Sequence, residues 1–285
     1  MDLSKADYQK RMRRVLLYIR DHIDEEISLD DLAQVANFSR YHFHRFFYGM
    51  VGETVAGYIR RLRLEHAAQI LKYGDKKITD IAYEAGYANL ESFTRAFRSY
   101  FGILPSAFKE QQGHFKEARL EDISLDKKGD CMDVNIIRKP ERKVIFVRHI
   151  GSYAECVPAW GKLCAWAGSK GLICKDTRFL GLSYDDPQIT APEKIRYDAC
   201  IEVKNDVQVS GEVGIQNIPA GDYAVCLHKG SYEGLSETYI KLCGGWLVDS
   251  GRELKHAPSI EVYLNDPKTT PAEELLVELQ LPLKD

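Results

Sequence analysis

Residues 29 to 108 carry nearly the same pattern twice. The segment that begins at Asp31 aligns with the segment that begins at Asp80, with one residue inserted in the second turn. The paired positions are Asp31, Leu32, Ala33, Ala36 and Phe38 with Asp80, Ile81, Ala82, Ala85 and Tyr87, followed by Phe43, Arg45, Phe47 and Gly52 with Phe93, Arg95, Phe97 and Gly102. Each copy predicts two short helices joined by a tight turn, which is the helix-turn-helix motif. Two such motifs in one chain indicate a protein that binds double-stranded DNA.

Residues at the predicted helix ends support this interpretation. Ser28 precedes the first short helix, where its side-chain oxygen can accept the free amide protons of the first turn. Asn37 suits the tight turn after that helix, and Ser39 can cap the next helix. In the second copy, Gly86 forms the turn and a new helix is predicted to begin near Asn89.

The second helix of each copy is the one that enters the major groove of DNA in this motif. In the first copy it is predicted over residues 40–48, with Phe43, Phe46 and Phe47 facing inward at helical spacing. The positions left on the outer face are Arg40, Tyr41, His44 and Arg45 in the first copy and Leu90, Glu91, Thr94 and Arg95 in the second. A packed or capping role is an alternative for His44 and Tyr41, and the arginines can contact phosphates instead of bases.

A continuous helix is predicted between the two copies, from Thr54 to Lys72. At about 1.5 Å per residue it would be on the order of 28 Å long. Successive major grooves on one face of DNA lie about 34 Å apart. A rod of that size can hold two recognition helices one turn of DNA apart. Residues 8–23 repeat apolar positions at helical spacing and predict an amphipathic helix that packs against the helices after it.

The charge balance divides the chain into two parts. Residues 1–120 carry 19 Lys and Arg against 16 Asp and Glu, whereas residues 121–285 carry 20 against 26. Only the first part has the net positive charge that favours approach to phosphates. The length of 285 residues suits two domains. We expect an N-terminal domain over residues 1–112, a linker over residues 113–130 and a second domain over residues 131–285.

The composition of the chain indicates its cellular compartment and limits the kinds of catalytic or metal site that it can form. No apolar run approaches the roughly 18 residues that would span a bilayer, and the polar start of the chain is unlike a secretory leader. We therefore expect a cytoplasmic protein with no membrane partner. All seven cysteines come after residue 130, with no pair at metal-ligand spacing, which favours buried thiols over disulfides or metal. The sequence offers no nucleophile triad, phosphate loop or metal cluster, so we predict no catalytic residue, no cofactor and no metal.

The C-terminal part contains a second internal repeat. Residues 149–153 (HIGSY) recur at 228–232 (HKGSY), and residues 162–164 (KLC) recur at 241–243. Each copy predicts a strand, a helix around Trp160 or Tyr239, and two further strands. The strands are expected at residues 143–148, 179–184 and 196–203, and at residues 222–227, 259–264 and 275–283. Two such βαββ units can pair into one antiparallel sheet that carries both helices, with a groove between the copies.

These patterns together predict a multi-domain chain, in which an all-α N-terminal domain precedes an α+β C-terminal domain. The alternation of apolar and polar residues over Val277 to Leu281 predicts a strand with one face in solvent.

The N-terminal part resembles the AraC/XylS family of bacterial transcription regulators, over about residues 8 to 110. The residues that carry the resemblance are Ile78 to Ala82, Gly86, Tyr87, Ser92, Phe93, Arg95, Ala96, Phe97, Phe101, Gly102, Pro105 and Phe108. The resemblance implies that the second helix of each motif contacts bases, here through Tyr41, His44 and Arg45 and through Leu90, Glu91, Thr94 and Arg95. Because arginine pairs well with guanine, Arg45 and Arg95 are expected to carry most of the specificity.

The C-terminal part resembles the GyrI-like small-molecule-binding domains, over about residues 132 to 285. Its signature segments here are residues 196–200 (RYDAC), 221–225 (GDYAV), 245–247 (GWL) and 258–263 (PSIEVY). The order of the two parts is that of Rob-type regulators. The resemblance implies a groove in which a glutamate among aromatic rings meets cationic or amphipathic molecules, and Glu261 occupies the matching position. The candidate ligand-binding residues are Glu261, Tyr263, Trp246, Tyr197, Tyr184 and Trp160.

Three functions fit this sequence. The first is a ligand-responsive transcription factor, an activator by analogy with most of the family, in which a small effector shifts the populations of states that differ in DNA affinity or in contact with RNA polymerase. The second is a regulator fused to a hydrolase of small electrophilic compounds, with a groove glutamate as base. The third is a C-terminal groove that binds a protein partner. We favour the first.

Overall fold

The computed structural model describes residues 5–38, 42–110, 132–187 and 190–284. The chain forms two compact units, the first from Met1–Tyr8, Phe38–Gly49 and Lys128–Asp285, and the second from Gln9–Asn37 and Met50–Lys127. The division expected from the sequence placed Phe38–Gly49 with the N-terminal helices, whereas this segment packs with the C-terminal residues. The expected linker over residues 113–130 and the cap at Ser39 lie outside the described residues.

The N-terminal part is helical, as the sequence predicted. Its helices are α1 (Lys5–Asp21), α2 (Leu29–Ala36), α3 (Phe43–Val51), α4 (Val55–Tyr73), α5 (Ile78–Glu84), α6 (Leu90–Phe101) and α7 (Pro105–Glu110). The predicted cap at Ser28 is confirmed, since its side chain accepts from the Asp31 amide at 3.1 Å. The second helix of the other copy begins beside Asn89, as predicted, and the Asn89 side chain accepts from the Ser92 amide at 2.8 Å. These side chains satisfy amide groups that the first turn of a helix leaves without partners.

The two predicted turns adopt left-handed backbone conformations. Asn37 has φ 53° and ends α2. Gly86 has φ 80°, and a Cβ there would lie 2.7 Å from a guanidinium nitrogen of Arg63. Glycine therefore meets both the conformational and the steric demand at that turn.

The core of the second unit is built from α4, α5 and α6. Its buried residues are Leu64, Ala67, Ala68, Leu71, Ile81, Ala82, Ala85, Phe93 and Phe97. The ring of Phe97 contacts the rings of Phe101 and Phe108, with centroids 4.4 and 5.4 Å away. This aromatic contact fixes the inner face of α6 and leaves its opposite face in solvent.

One antiparallel sheet of eight strands organises the C-terminal part. The strands are β1 (Val134–Lys139), β2 (Arg142–Ile150), β3 (Phe179–Ser183), β4 (Arg196–Glu202), β5 (Gly214–Ile218), β6 (Gly221–Lys229), β7 (Ser259–Tyr263) and β8 (Leu276–Pro282). Their order in the sheet is β1-β6-β8-β7-β3-β4-β2-β5. The two halves of the sheet are equivalent: if β1, β2, β3 and β4 are exchanged with β5, β6, β7 and β8, the same strand order is read from the opposite edge of the sheet. The sequence predicted the six inner strands and missed the two edge strands, β1 and β5.

The sheet has two different faces. On one face, α8 (Val157–Ser169) packs against β2 and β4 through Leu163, Tyr197 and Ala199. On the other face lie Val144, Leu180, Leu182, Cys200, Ile218, Tyr223, Val225, Ile260 and Val262. The expectation that β8 has a solvent face is wrong, because Gln280 is buried and accepts a hydrogen bond from the Arg142 guanidinium at 2.9 Å.

The second helix of the C-terminal part is irregular. It begins as α9 (Leu235–Lys241), continues as a π-helical segment (Leu242–Trp246) and ends as α10 (Leu247–Ser250). Such π-helical turns inside helices are uncommon and are often found at functional sites. Here the segment contains Gly244, whose backbone contacts α3.

Within the described ranges, no helix is both long and apolar enough to cross a membrane. The same ranges contain no group of three or more His, Cys, Asp or Glu residues that could hold a metal ion. Six cysteines are described, all as free thiols: Cys200, Cys226 and Cys243 are buried, Cys156 and Cys164 are partly buried, and Cys174 is exposed. The prediction of buried thiols is therefore confirmed for three of these six, and Cys131 lies outside the described residues.

Candidate DNA-binding and ligand-binding sites

The outer face of α6 carries the four residues that the sequence placed there. Leu90, Glu91 and Arg95 are exposed and Thr94 is partly exposed. Together with Arg98, they line a shallow surface depression. The Arg95 guanidinium lies 2.7 Å from the Glu91 carboxylate, one turn away on the same helix. An exposed pair of this kind contributes only about 0.3–0.5 kcal/mol, so Arg95 is readily available to another anion or to a base edge.

The equivalent positions on α3 are buried, which contradicts the exposure predicted for two of the four first-copy candidates. His44 and Arg45 are 2% and 7% exposed, although helical spacing placed them on the outer face. The other two candidates on this helix, Arg40 and Tyr41, lie outside the described residues. The physical reason is packing: His44 and Arg45 contact residues of the C-terminal part within the first compact unit.

Arg45 is held by three groups of the C-terminal part. Its guanidinium carbon lies 3.8 Å from the centroid of the Tyr239 ring. A terminal nitrogen donates to the Ser259 hydroxyl at 3.1 Å, and Nε lies 3.7 Å from the Asp186 carboxylate. Burial alone would lower the pKa of Arg45, but the Asp186 carboxylate raises it above its ordinary value. Arg45 therefore stays charged, stacked on an aromatic face and paired with a carboxylate.

Two histidines accompany Arg45. The Nδ1 atom of His44 lies 3.3 Å from the same Asp186 carboxylate. His42, just before α3, is fully buried. Its pKa is lowered to about 3, first by burial and then by the positive charge of Arg45. His42 is therefore neutral at physiological pH.

A second polar cluster surrounds Glu261, in the middle of β7. The carboxylate is 6% exposed. Its Oε1 atom accepts hydrogen bonds from Ser183 at 2.8 Å and from Tyr239 at 3.1 Å, and its Oε2 atom accepts from Tyr263 at 2.8 Å. All three donors are neutral hydroxyl groups. No lysine, arginine or histidine of the described residues makes an ion pair with Glu261.

Aromatic rings extend this cluster. The Tyr263 ring contacts Trp160 and Tyr232 edge to face, with centroids 5.6 and 5.5 Å away. The Tyr197 hydroxyl lies 2.7 Å from the Tyr263 hydroxyl, and the Tyr197 ring contacts Tyr153 at 5.8 Å. We call Glu261 with these six rings the tyrosine cluster: Tyr153, Trp160, Tyr197, Tyr232, Tyr239 and Tyr263.

Burial and the Glu261 charge keep the tyrosines of this cluster protonated. Burial is the first cause, and the nearby carboxylate the second, of the raised pKa of Tyr197, Tyr239 and Tyr263, each well above the ordinary value. Tyr239 and Tyr263 therefore remain donors to the Glu261 carboxylate at physiological pH, whereas the Tyr197 hydroxyl contacts that of Tyr263. Among the described residues, the direct hydrogen-bond partners of Glu261 are hydroxyl groups, which replace water or a counter-ion incompletely.

The structure brings four of the six candidate ligand-binding residues together: Glu261, Tyr263, Tyr197 and Trp160. Tyr184 lies on the opposite face of the sheet, where its hydroxyl donates to the Asp198 carboxylate at 2.9 Å. Trp246 lies on the π-helical segment, and among the described residues no ring contact joins it to the tyrosine cluster. Successive side chains along a strand point to opposite faces of the sheet. Tyr184 comes directly after Ser183, which faces Glu261, so Tyr184 points to the other face.

Sequence reasoning missed three members of the cluster. In the sequence, Tyr153 and Tyr232 stand out only within a repeated segment, and Tyr239 only within a predicted helix. The internal repeat contained the missing signal, because Tyr153 and Tyr232 end the two copies of the same five-residue motif. Residues at equivalent places in a duplicated unit meet when the copies pack about a common axis, so both tyrosines could have been placed at the groove.

Comparison with known protein families assigns both parts of the chain. The model of the GyrI-like small molecule binding domain matches residues 132–284. A helix-turn-helix domain model matches residues 32–111. Among solved structures, the C-terminal domain of EcmrR is 21% identical and has a TM-score of 0.45, covering 54% of this chain and 98% of that one.

Curated relatives match the N-terminal part. An uncharacterized HTH-type transcriptional regulator from Bacillus subtilis, YbfP, is 37% identical over 121 residues, which are 42% of this chain and 41% of the relative. The match thus spans about two fifths of that protein. The regulatory protein SoxS of Escherichia coli is 32% identical over 104 residues, which are 36% of this chain and 97% of SoxS. The chain therefore belongs to the AraC/XylS family of DNA-binding transcriptional regulators and carries a C-terminal GyrI-like small-molecule-binding domain.

Proposed function

We propose that this DNA-binding regulator responds to a small lipophilic cation that binds beside Glu261. The observation that carries the proposal is the buried carboxylate of Glu261, which has hydroxyl donors but no ion pair among the described residues. Removing an ionised carboxylate from water is costly unless a positive charge compensates for it. A bound cation would supply that charge.

The rings around Glu261 favour the same class of ligand. Aromatic faces attract cations, and their apolar area favours a hydrophobic body over a hydrated metal ion. Trp160 and Tyr263 are partly exposed and Tyr232 is exposed, so they line the accessible side of the tyrosine cluster. The carboxylate would select for positive charge, and the rings would select for an aromatic or aliphatic framework.

On the DNA side, α2 with α3 and α5 with α6 would form two helix-turn-helix motifs joined by α4. The 19 residues of α4 correspond to about 28 Å at 1.5 Å per residue, which is compatible with recognition helices in successive major grooves about 34 Å apart. The C-terminal part would have arisen by duplication of one βαββ unit. By family analogy the protein would activate transcription and contact RNA polymerase.

Ligand binding can be tested with tetraphenylphosphonium, a rigid lipophilic cation. Because Trp160 belongs to the tyrosine cluster, binding should change the tryptophan fluorescence of the full chain. Glu261→Gln keeps the shape of the side chain and removes its charge, and should weaken binding by at least about tenfold, equivalent to 1.4 kcal/mol.

Glu278→Gln is the matched control for that experiment. Glu278 is also a strand carboxylate of the C-terminal part, but it pairs with Lys139 at 3.1 Å and faces away from Glu261. This variant should bind the cation like the parent. Equal affinities of the Glu261→Gln variant and the parent would remove the counter-charge role and contradict the proposal.

DNA recognition can be tested by selecting bound duplexes from a random pool with the full chain. We expect a selected site that spans two adjacent major grooves on one face. A protected region confined to one groove both with and without tetraphenylphosphonium, with α6 intact, would contradict the arrangement of two recognition helices.

A further inference from the structure

The backbone of α3 touches the backbone of the π-helical segment. A Cβ added to Gly49 would lie 2.5 Å from the Gly244 Cα atom, and a Cβ added to Gly244 would lie 2.4 Å from the Gly49 Cα atom. Only glycine at both positions permits this approach, because real Cβ atoms do not come so close to backbone. The contact therefore requires that α3 lie directly on the C-terminal part.

Polar groups anchor the same helix. Asp186 pairs with both His44 and Arg45, Ser259 accepts from Arg45, and the Tyr239 ring stacks on the Arg45 guanidinium. Near the start of the chain, the Tyr8 ring stacks on Phe46 of α3 with centroids 5.6 Å apart, and the Tyr8 hydroxyl donates to the Arg252 carbonyl. Aromatic and charged contacts thus hold α3 both on the face that bears His44, Arg45 and Gly49 and at Phe46.

We infer that the C-terminal domain has a binding surface for the chain's own recognition helix, α3, and that α3 held there cannot read DNA. This inference rests on the proposed DNA-binding role of α3. The surface consists of Asp186, Tyr239, Gly244 and Ser259. Its occupant is the face of α3 that bears His44, Arg45 and Gly49.

The same side chains cannot serve both partners. A recognition helix reads bases through the residues on its outer face, and on α3 these are His44 and Arg45, which are 2% and 7% exposed. To reach a base, Arg45 must leave Asp186, Ser259 and the Tyr239 ring. The affinity for DNA is therefore reduced by the small fraction of molecules in which α3 is released.

The binding surface for α3 and the tyrosine cluster share residues. Tyr239 donates its hydroxyl to Glu261 and carries Arg45 on its ring. Ser183, which donates to Glu261, is the cross-strand partner of Ser259, which accepts from Arg45. A cation that binds at Glu261 would place a second positive charge beside Arg45 and would favour release of α3. The effector and the recognition helix thus compete through one connected group of side chains.

The inference can be tested by adding a methyl group where the backbones of Gly49 and Gly244 meet. Gly244→Ala adds one methyl group against the Gly49 backbone and leaves both the DNA-facing residues of α3 and the Glu261 carboxylate intact. Gly161→Ala is the matched control, since Gly161 lies on α8 with nothing within 4 Å of an added Cβ. In the full chain without ligand, Gly244→Ala should speed hydrogen exchange of α3 amides and tighten binding to a selected duplex, each by roughly tenfold.

Asp186→Asn provides a second variant that does not depend on steric pressure. It preserves the shape of the side chain and removes the charge that holds His44 and Arg45, so it should act in the same direction even if Gly244→Ala fails to fold. Circular dichroism and thermal unfolding establish that each variant is folded.

The outcomes are distinct. Faster α3 exchange with tighter DNA binding supports the inference. Unchanged exchange in both variants overturns the held helix, and faster exchange with unchanged DNA affinity overturns its inhibitory role. If neither the parent nor any variant binds DNA, the proposed function fails instead, and the inhibitory role fails with it.

Discussion

The helices α3 and α6 come from two copies of one sequence pattern, yet their outer faces have opposite surroundings. Arg45 and Arg95 occupy equivalent positions in the two copies. The Arg45 side chain is 9% exposed and the Arg95 side chain is 77% exposed. Local sequence is similar and helix formation is similar, so the difference arises from the residues that pack against each helix. Equivalent positions in a repeat can therefore have different accessibility.

Small sequence differences between the copies agree with this outcome. Gly49 corresponds to Ser99, and His44 corresponds to Thr94. A serine at the equivalent position carries a Cβ that would prevent the backbone contact made by Gly49. Threonine can donate a hydrogen bond to a carboxylate but cannot form an ion pair with it, as a protonated histidine can. The first copy has the residues that allow binding to the C-terminal part, and the second copy lacks them.

Replacing the two equivalent arginines should affect stability very differently. Arg45→Ala leaves the buried Asp186 carboxylate without its arginine partner and should lower the free energy of unfolding by about 3–5 kcal/mol. Arg95→Ala, which removes only an exposed pair, should change it by less than about 0.5 kcal/mol. Urea denaturation followed by tryptophan fluorescence reports unfolding of the C-terminal part, which holds all three tryptophans, and far-UV circular dichroism of the same samples reports unfolding of the helices around α6. Equal losses would show that Asp186, Ser259 and Tyr239 do not hold Arg45.

Acid should weaken the first compact unit through His42. Its pKa in the folded protein is about 3, whereas an unfolded histidine has a pKa of about 6.5. The unfolded chain therefore takes up a proton below pH 6.5 that the folded chain takes up only near pH 3. Stability is lost as pH falls between these values, by up to about 1.4 kcal/mol per pH unit.

A comparison with His42→Leu isolates that effect from other titrating groups. The charged or titratable groups around His42 are Arg45, His256 and Asp186, and they are the same in both proteins. Between pH 7 and pH 4.5 the parent should lose about 3 kcal/mol more than the variant. Parallel pH profiles in urea denaturation would contradict the burial of a neutral His42.

Arg95, the exposed arginine of α6, should specify one base of the DNA site. The effect of removing Arg95 should be the same whether or not α3 is released. Arg95→Ala should relax preference at one base pair of the selected site, by about 1–3 kcal/mol, in the parent and in the Gly244→Ala background alike. Competition binding with single-base variants of the duplex measures this. Uniform weakening on every sequence would instead assign Arg95 to a phosphate.

The cation should distinguish the held helix from the free one. Tetraphenylphosphonium should tighten DNA binding by the parent by roughly tenfold, or 1.4 kcal/mol, because it favours release of α3. It should have little effect on Gly244→Ala, in which α3 is already released. Fluorescence anisotropy of a labelled duplex, with and without the cation, measures the change in DNA affinity for both proteins. An equal gain in both proteins would place the effect of the cation elsewhere.

Much of the fold was predictable because its signals are local. The caps Ser28 and Asn89, the turns at Asn37 and Gly86, and the periodicities of the helices and inner strands each depend on neighbouring residues. The edge strands β1 and β5 escaped prediction because they have little apolar alternation: four consecutive residues of β1 are exposed. The solvent face expected for β8 was wrong because Gln280 finds a buried partner, Arg142, 138 positions away.

Some residues of the candidate sites could likewise be predicted from the sequence, and others could not. Glu261 with Tyr197, Tyr263 and Trp160 could be found from the family pattern, and the exposed residues of α6 from helical spacing. Residue type alone could not show that Tyr184 lies apart from these residues. A shift of one position along a strand moves a side chain to the opposite face of the sheet. The burial of Arg45 could not be predicted at all, since its partners Asp186 and Ser259 are more than 140 residues away in sequence.

The sequence by itself determined the helices, the inner strands, the two repeats and the family, because these depend on residue spacing and backbone preference over short distances. Only the tertiary structure decided which copy of the repeated motif is open to solvent. That decision depends on contacts between distant segments, where two glycines permit backbones to touch and a carboxylate, a hydroxyl and an aromatic face together hold Arg45.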